Sequence, residues 1–191
     1  GRTPKDWLEG YNAREDGIVL NHNIIHNDYV TCIALSHRAT LLCSLAGIPA
    51  PEAADYNFDV VYRALVTLEF PSPPYEAPGG TMYIPGRAEQ YYPQGTDWSV
   101  HRFAPFYTMD TVAYRLGYDR GLPHKAESWL RLRAERMEEM QARHDDGHMF
   151  AAGEFDRYPG REQMVLWMVA DAYLYHWLHA HDVLVPEANW L

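Results

Sequence analysis

The sequence predicts an all-α fold, built from antiparallel helical hairpins with long loops gathered at one end. Three observations carry that expectation. Apolar residues recur at three- and four-residue spacings in several segments of helical length. Prolines and glycines cluster between those segments rather than inside them. No run alternates apolar and polar residues for long enough to compete as a strand. At 191 residues and 47% hydrophobic, the chain suits one helical domain, residues 1–191, with a core of its own.

The helices follow in order. Residues 28–46, DYVTCIALSHRATLLCSLA, carry Val30, Cys32, Ile33, Ala34, Leu41 and Leu45 at helical spacing, and Gly47 and Pro49 stop the run. Residues 51–69 open with Pro51 and Glu52, as a first helical turn prefers, and continue through Val60, Val61, Ala64, Leu65 and Leu68. The short GIPA connection should fold this helix antiparallel to its predecessor. The stretch 70–98 is too dense in proline and glycine for a helix interior, yet its aromatics, Tyr75, Tyr83, Tyr91, Tyr92 and Trp98, argue for an ordered loop. Residues 99–116 are expected to be helical with a start bent by Pro105, and residues 123–144 to form a charged helix whose Glu127, Arg131 and Glu135 make a solvated face. The last helix, 160–182, bears so wide an apolar surface that burial on most sides is expected. GIVL and TMYIP are candidates for short extended pieces. Cys32 and Cys43 fall in one helix about 16 Å apart, which excludes a disulfide between them and fits buried reduced thiols.

Charge and hydropathy exclude two classes of partner. A net charge of −10 leaves no basic face for a phosphate backbone, so nucleic acid is not expected. No segment reaches about 18 consecutive apolar residues, so no membrane-spanning helix is expected. The chain begins at Gly1 without a methionine, consistent with a processed chain or a piece of something longer.

The chemistry gathers in GIVLNHNIIHNDYV, residues 17–30. Gly17 to Leu20 reads as extended and the helical periodicity begins near Val30, so Asn27 or Asp28 is the expected N-cap. Asn21 and Asn23 can donate amide hydrogen bonds, His22 and His26 can move protons near neutral pH, and Tyr29 can act as acid or base. A divalent metal at His22 and His26 is the alternative, with Asp28, His37 or a distant histidine as third ligand. Their four-residue spacing puts both rings on one face only in a helix, and this segment reads as a loop.

A second cluster, YYPQGTDWSVHRF, residues 91–103, combines Tyr91, Tyr92 and Trp98 as stacking faces for sugar rings with His101 and Arg102 as polar contacts. Asp97 is a possible general acid or base there, and Thr96 or Asp97 a possible helix cap. A third loop offers His148, Glu154, Asp156 and Arg157, of which Glu154 and Arg157 read as a local ion pair.

Helical hairpins carrying the loops NHNIIHNDY and YYPQGTDWSVHR resemble parts of the (α/α) toroid carbohydrate-active enzymes, the polysaccharide lyases of that architecture in particular. The resemblance implies a lyase acting on a uronate-containing saccharide. An asparagine and a histidine would flank the uronate carboxylate while a tyrosine and a histidine handle protons, with Asn21, Asn23, His22, His26, Tyr29 and Arg102 as the positions available. It also implies that a second chain or a further segment completes the ring of helices. Two readings stand beside it. One is a glycoside hydrolase pairing Asp97 with Asp28 or Glu154 about 6.5 to 9.5 Å apart. The other is a helical domain that binds a small molecule without turning it over.

Overall fold

A computed structural model describes residues 12–97, 102–151, 154 and 161–184. The expected helices are present with shifted ends, and two small antiparallel sheets accompany them, so the fold is helix-rich rather than purely all-α. The order is β1 (Leu20–Asn21), β2 (Ile24–Ile25), α1 (Asn27–Val30), α2 (Ile33–Leu45), a 3₁₀ turn (Glu52–Ala54), α3 (Phe58–Thr67), β3 (Glu69–Phe70), β4 (Gly80–Thr81), α4 (Phe103–Leu116), α5 (Ala126–Gln141) and α6 (Arg161–Ala180). Of the two stretches expected to be extended, Leu20 and Thr81 lie in strands, whereas Gly17 belongs to a turn with φ of 86°. No helix among the described residues is long and apolar enough to cross a membrane.

Helix α4 is the centre of the molecule. Residues buried all around it, from Phe103 to Ala113, pack against α5 on one side and α6 on the other. Ala104 shares a cluster with Met140 of α5, and Asp110 meets Arg133, so these two helices run antiparallel. Thr108 donates to the Met168 carbonyl at 2.9 Å and Arg115 to His176 at 2.7 Å, which makes α6 run parallel to α4. Pro105 sits in the first turn of α4, where no intrahelical N–H bond is needed, and so begins the helix without breaking it.

Three expectations are corrected by this packing. Helix α3 buries Phe58, Val61, Tyr62, Leu65 and Val66, a stripe of helical period, and packs mainly on α4 and β4, with α2 meeting its first residue through the His37 ring, 4.3 Å from that of Phe58; the 51–69 segment is interrupted at Asn57, whose φ of 60° breaks the helical path. The helix buried on most sides is α4. Helix α6 leaves Leu166, Tyr173 and Trp177 exposed at 72%, 68% and 40%. Both cysteines are free, but Cys32 is exposed and Cys43 half-buried, because they lie on the outer side of α2 with Leu35 and Leu42.

The main core joins Ile18 and Ile25 of the first hairpin to Tyr62 and Leu65 of α3, Tyr83 of the long loop, Phe106 and Met109 of α4, Trp129 of α5 and Tyr175 of α6. A buried ion pair crosses it. Arg133 contacts Asp110, donates through Nε to the Ala88 carbonyl at 3.1 Å, and lies 4.1 Å over the Tyr83 ring. Tyr62 donates to Asp110 at 2.8 Å, so the carboxylate is satisfied from two helices. Burial pushes Asp110 up to about 6, against the pull of Arg133.

Candidate functional site

The first hairpin decides where the histidines go. Leu20 pairs with Ile25 and Asn21 with Ile24, leaving His22 and Asn23 as a two-residue turn. Both have positive φ, 49° and 63°, as the favoured right-twisting hairpin turn demands. Asparagine tolerates that conformation readily; histidine does so at a cost in backbone strain. The Asn21 side-chain oxygen accepts the His22 backbone N–H at 2.8 Å and helps hold the turn. His26 is the last extended residue before α1. Folding back the hairpin therefore returns His22 to the side of His26, and their ring centroids lie 5.6 Å apart. The expectation that a non-helical segment would separate the rings fails for this reason: a tight turn can do what a helical turn does.

The 91–97 segment is fastened beside this hairpin by side chains. Asn27 donates to the Tyr91 carbonyl at 2.6 Å, and the Gln94 side-chain oxygen accepts the Ile25 N–H at 2.8 Å. Asp97 is thereby brought to both histidines, with Oδ2 2.6 Å from His22 Nδ1 and Oδ1 2.8 Å from His26 Nε2. The side chains of His22 and Asp97 are 46% and 48% exposed, whereas that of His26 is fully buried. Tyr29 completes the cluster, half-buried, with its ring edge-on to His26 at 4.7 Å and to His22 at 5.4 Å. The hydrogen bond from His26, followed by that from His22, holds Asp97 below the ordinary carboxylate range.

A buried layer supports the exposed one. Asp28 has no measurable exposure and accepts hydrogen bonds from Tyr92 at 3.1 Å and Thr96 at 3.2 Å. Burial raises its pKa, and the nearby charge of Arg102 works in the opposite direction. Arg102 is itself buried, which lowers its pKa despite the carboxylate beside it. Asp28 and Arg102 thus stabilise each other under the site, so neither stands at the surface to meet a substrate.

Of the residues expected to form a site, His22, His26, Tyr29 and Asp97 converge, with Asn21 and Asn23 at the rim of the turn. Tyr91 does not offer a stacking face: it is buried and donates its hydroxyl to the Glu76 carbonyl. Tyr92 is half-buried and committed to Asp28. Trp98, His101, Asp156 and Arg157 lie outside the described residues. Neither Asn27 nor Asp28 caps α1, since His26 occupies the N-cap position without a side-chain cap and the two polar side chains tie down the 91–97 segment instead. Thr96 and Asp97 likewise serve the cluster rather than α4, whose N-cap position belongs to Arg102. The third loop is occupied locally, Glu154 by Arg143 at 2.6 Å and His148 by Asp146 at 2.8 Å. His37, a candidate third ligand, is buried 2.9 Å from Asp55. Gln94 carries no signal in the sequence, where it is a lone glutamine in a proline-rich loop.

The arrangement has two chemical capacities. An exposed imidazole oriented by a carboxylate, with a phenol beside it, suits proton transfer. Two imidazoles and a carboxylate with one donor atom each, all within 4.8 Å of one another, also make a set that can hold a metal ion. No protein-family model, curated protein or solved structure matches the chain.

Proposed function

We propose that the protein is a carbohydrate-active lyase that cleaves a uronate-containing saccharide by β-elimination. The observation that carries this reading is the convergence of His22, Tyr29 and Asp97, from segments about 70 residues apart, at an exposed turn rimmed by Asn21 and Asn23. The amides of Asn21 and Asn23, with the histidine pair, supply donors for a carboxylate; Tyr29 supplies a group that can take and return a proton. The base removes the proton α to the carboxylate, the electron pair forms the ring double bond, and the glycosidic C–O bond breaks as its oxygen is protonated.

The same contacts favour elimination over hydrolysis by paired carboxylates. Asp28 is buried with both oxygens engaged, and Glu154 is held by Arg143 at a pKa of about 2, so neither is disposed as a partner for Asp97. Leu42, Leu45 and Ile48 near the end of α2, and Leu166 and Tyr173 on α6, are more than half exposed. A further layer of helices, from a second chain or another segment, would cover them in a completed (α/α) toroid.

The test is incubation of the chain with a panel of uronate-containing polysaccharides, followed by ultraviolet absorbance of the unsaturated product. Absorbance should rise, and His22→Ala and Tyr29→Phe should each reduce the rate by about 10²- to 10⁴-fold while leaving the melting temperature close to that of the parent. New reducing ends without absorbance would replace the lyase with a hydrolase. Saccharide binding without any product would make this a binding domain.

A further inference from the structure

We infer that His22, His26 and Asp97 form a binding site for a divalent transition-metal ion of the zinc type, and that this ion is the centre that meets an anionic oxygen of the substrate. The geometry exceeds what an orienting His–Asp pair needs. One imidazole on one carboxylate oxygen suffices to fix a tautomer, but here each oxygen of Asp97 meets its own imidazole, at 2.6 and 2.8 Å. The molecule holds a plain pair for comparison: His148 Nδ1 lies 2.8 Å from one oxygen of Asp146, with both side chains exposed. The donor set is also built rather than incidental. His26 presents its ring from the interior, with its side chain fully buried, while His22 is carried by a left-handed residue at the hairpin turn. Asn27 and Gln94 lock the segment bearing Asp97 against both.

Two neutral imidazoles and one carboxylate are the donors that zinc, cobalt and iron(II) accept, at roughly 2.0–2.2 Å from the ion. Binding would replace the two N–H···O contacts by three metal–ligand bonds, with each neutral ring carrying its proton on the nitrogen that faces away from the ion. Since His22 and Asp97 are about half exposed, the remaining coordination positions open toward solvent, beside Tyr29. The chain carries a net charge of −10, and Arg102, the nearby cation, is buried with Asp28. A bound dication therefore supplies the positive pole that an anionic substrate needs at this surface. Ion binding stands independently of the lyase proposal; the role of neutralising a uronate carboxylate rests on it.

The experiment uses the full chain, stripped with a chelator and titrated with cobalt(II) and with zinc. Cobalt should bind at one ion per chain with a visible d–d absorption, and zinc should displace it. His22→Ala and Asp97→Asn should each weaken binding by more than about 100-fold, given that even outer-shell losses cost 10- to 100-fold. His148→Ala should leave it unchanged. Because the surface variants leave the buried His26 in place, loss of fold does not confound the result. Failure of the stripped protein to bind either ion stoichiometrically, or binding undiminished in both variants, overturns the inference. Unsaturated product formed equally well by stripped protein would retain the lyase and remove the ion from its mechanism; an ion bound without any such product would retain the site and remove the lyase.

Discussion

The molecule contains two acid–base assemblies of similar composition and opposite accessibility. In the helical block, Asp110 and Arg133 meet between α4 and α5, both side chains fully buried, and Tyr62 donates to the carboxylate while the Ala88 carbonyl accepts from Arg133 Nε. At the hairpin, Asp97 meets His22 and His26 with its carboxylate half exposed. The first is closed on itself and can serve only the fold. The second is held from beneath by Asn27, Gln94 and the Asp28 layer, and its outer face is left open for a ligand. What separates a structural pair from a candidate site here is therefore not residue type but which side of the pair the packing leaves uncovered.

The sharpest way to break the comparison is to open each assembly in turn. Arg133→Leu should strand the Asp110 carboxylate in the core and cost about 3–5 kcal/mol, the usual penalty for removing one member of a buried pair. That would lower the urea midpoint severely or abolish folding. Asp97→Asn removes a half-exposed carboxylate and should leave the urea midpoint within about 0.5 kcal/mol of the parent while removing function. If the two variants were equally destabilised, the division into a structural and an open pair would be wrong.

Next in size is the joint between the two regions. Gly17 has φ of +86°, and a Cβ there would lie 2.5 Å from the Val60 carbonyl oxygen and 2.9 Å from the Ala64 side chain. The turn leading into the hairpin, where the Gly17 N–H donates to the Arg14 carbonyl at 3.0 Å, thus presses its backbone directly onto α3. Gly17→Ala combines a left-handed non-glycine residue with a backbone clash, for about 3 kcal/mol of destabilisation. Thermal unfolding would register the loss, and cobalt titration would reveal whether the histidines remain in register with Asp97.

These two effects also explain what could be read from the sequence. The helices were legible because α3 repeats apolar residues, and α5 opposite charges such as Glu127 and Arg131, at helical period, a local pattern. The central role of α4 was not, because its near-complete burial comes from neighbours on both sides and nothing in its own sequence names them. In the site, His22, His26, Tyr29 and Asp97 were legible as chemistry but not as geometry. Their approach depends on a left-handed turn at His22–Asn23, and neither residue of that turn is the glycine that would have announced it. Tyr91 misled for a related reason: a loop tyrosine looks exposed until the fold places its ring in the core. The Asp110–Arg133 pair went unread because its members are 23 residues apart on two helices, and charges on an amphipathic helix normally face water.

A smaller effect tests the fastening of the site alone. Asn27 is fully buried and its amide donates to the Tyr91 carbonyl. Asn27→Ala should cost about 1–2 kcal/mol through the unpaired carbonyl, well below the core substitutions. Its effect on function should be larger in proportion, since a displacement of about 1 Å at a catalytic group can cost 10²-fold. A rate or metal affinity unchanged alongside that modest loss of stability would mean that Gln94 and the Asp28 layer hold the segment without it.

The smallest effect returns to the helical block, where a half-buried contact has a pH signature. Burial, and then the charge of Arg115, depress His176 to about 4, while Arg115 Nε donates to its Nδ1 at 2.7 Å. That bond requires an unprotonated Nδ1, so protonation must break it. A histidine depressed in the folded state is protonated more readily when unfolded, so its contribution is complete above the unfolded value of about 6.5 and is lost as pH falls toward 4. Because His176 is only half-buried, the loss should be about 1 kcal/mol rather than the full equivalent of the shift. Melting curves between pH 7.5 and 4.5 should therefore fall more steeply for the parent than for His176→Gln, which has nothing to protonate. Parallel curves would mean that Arg115 and His176 part in solution, and that the α4–α6 contact is held by Thr108 and the surrounding apolar surface alone.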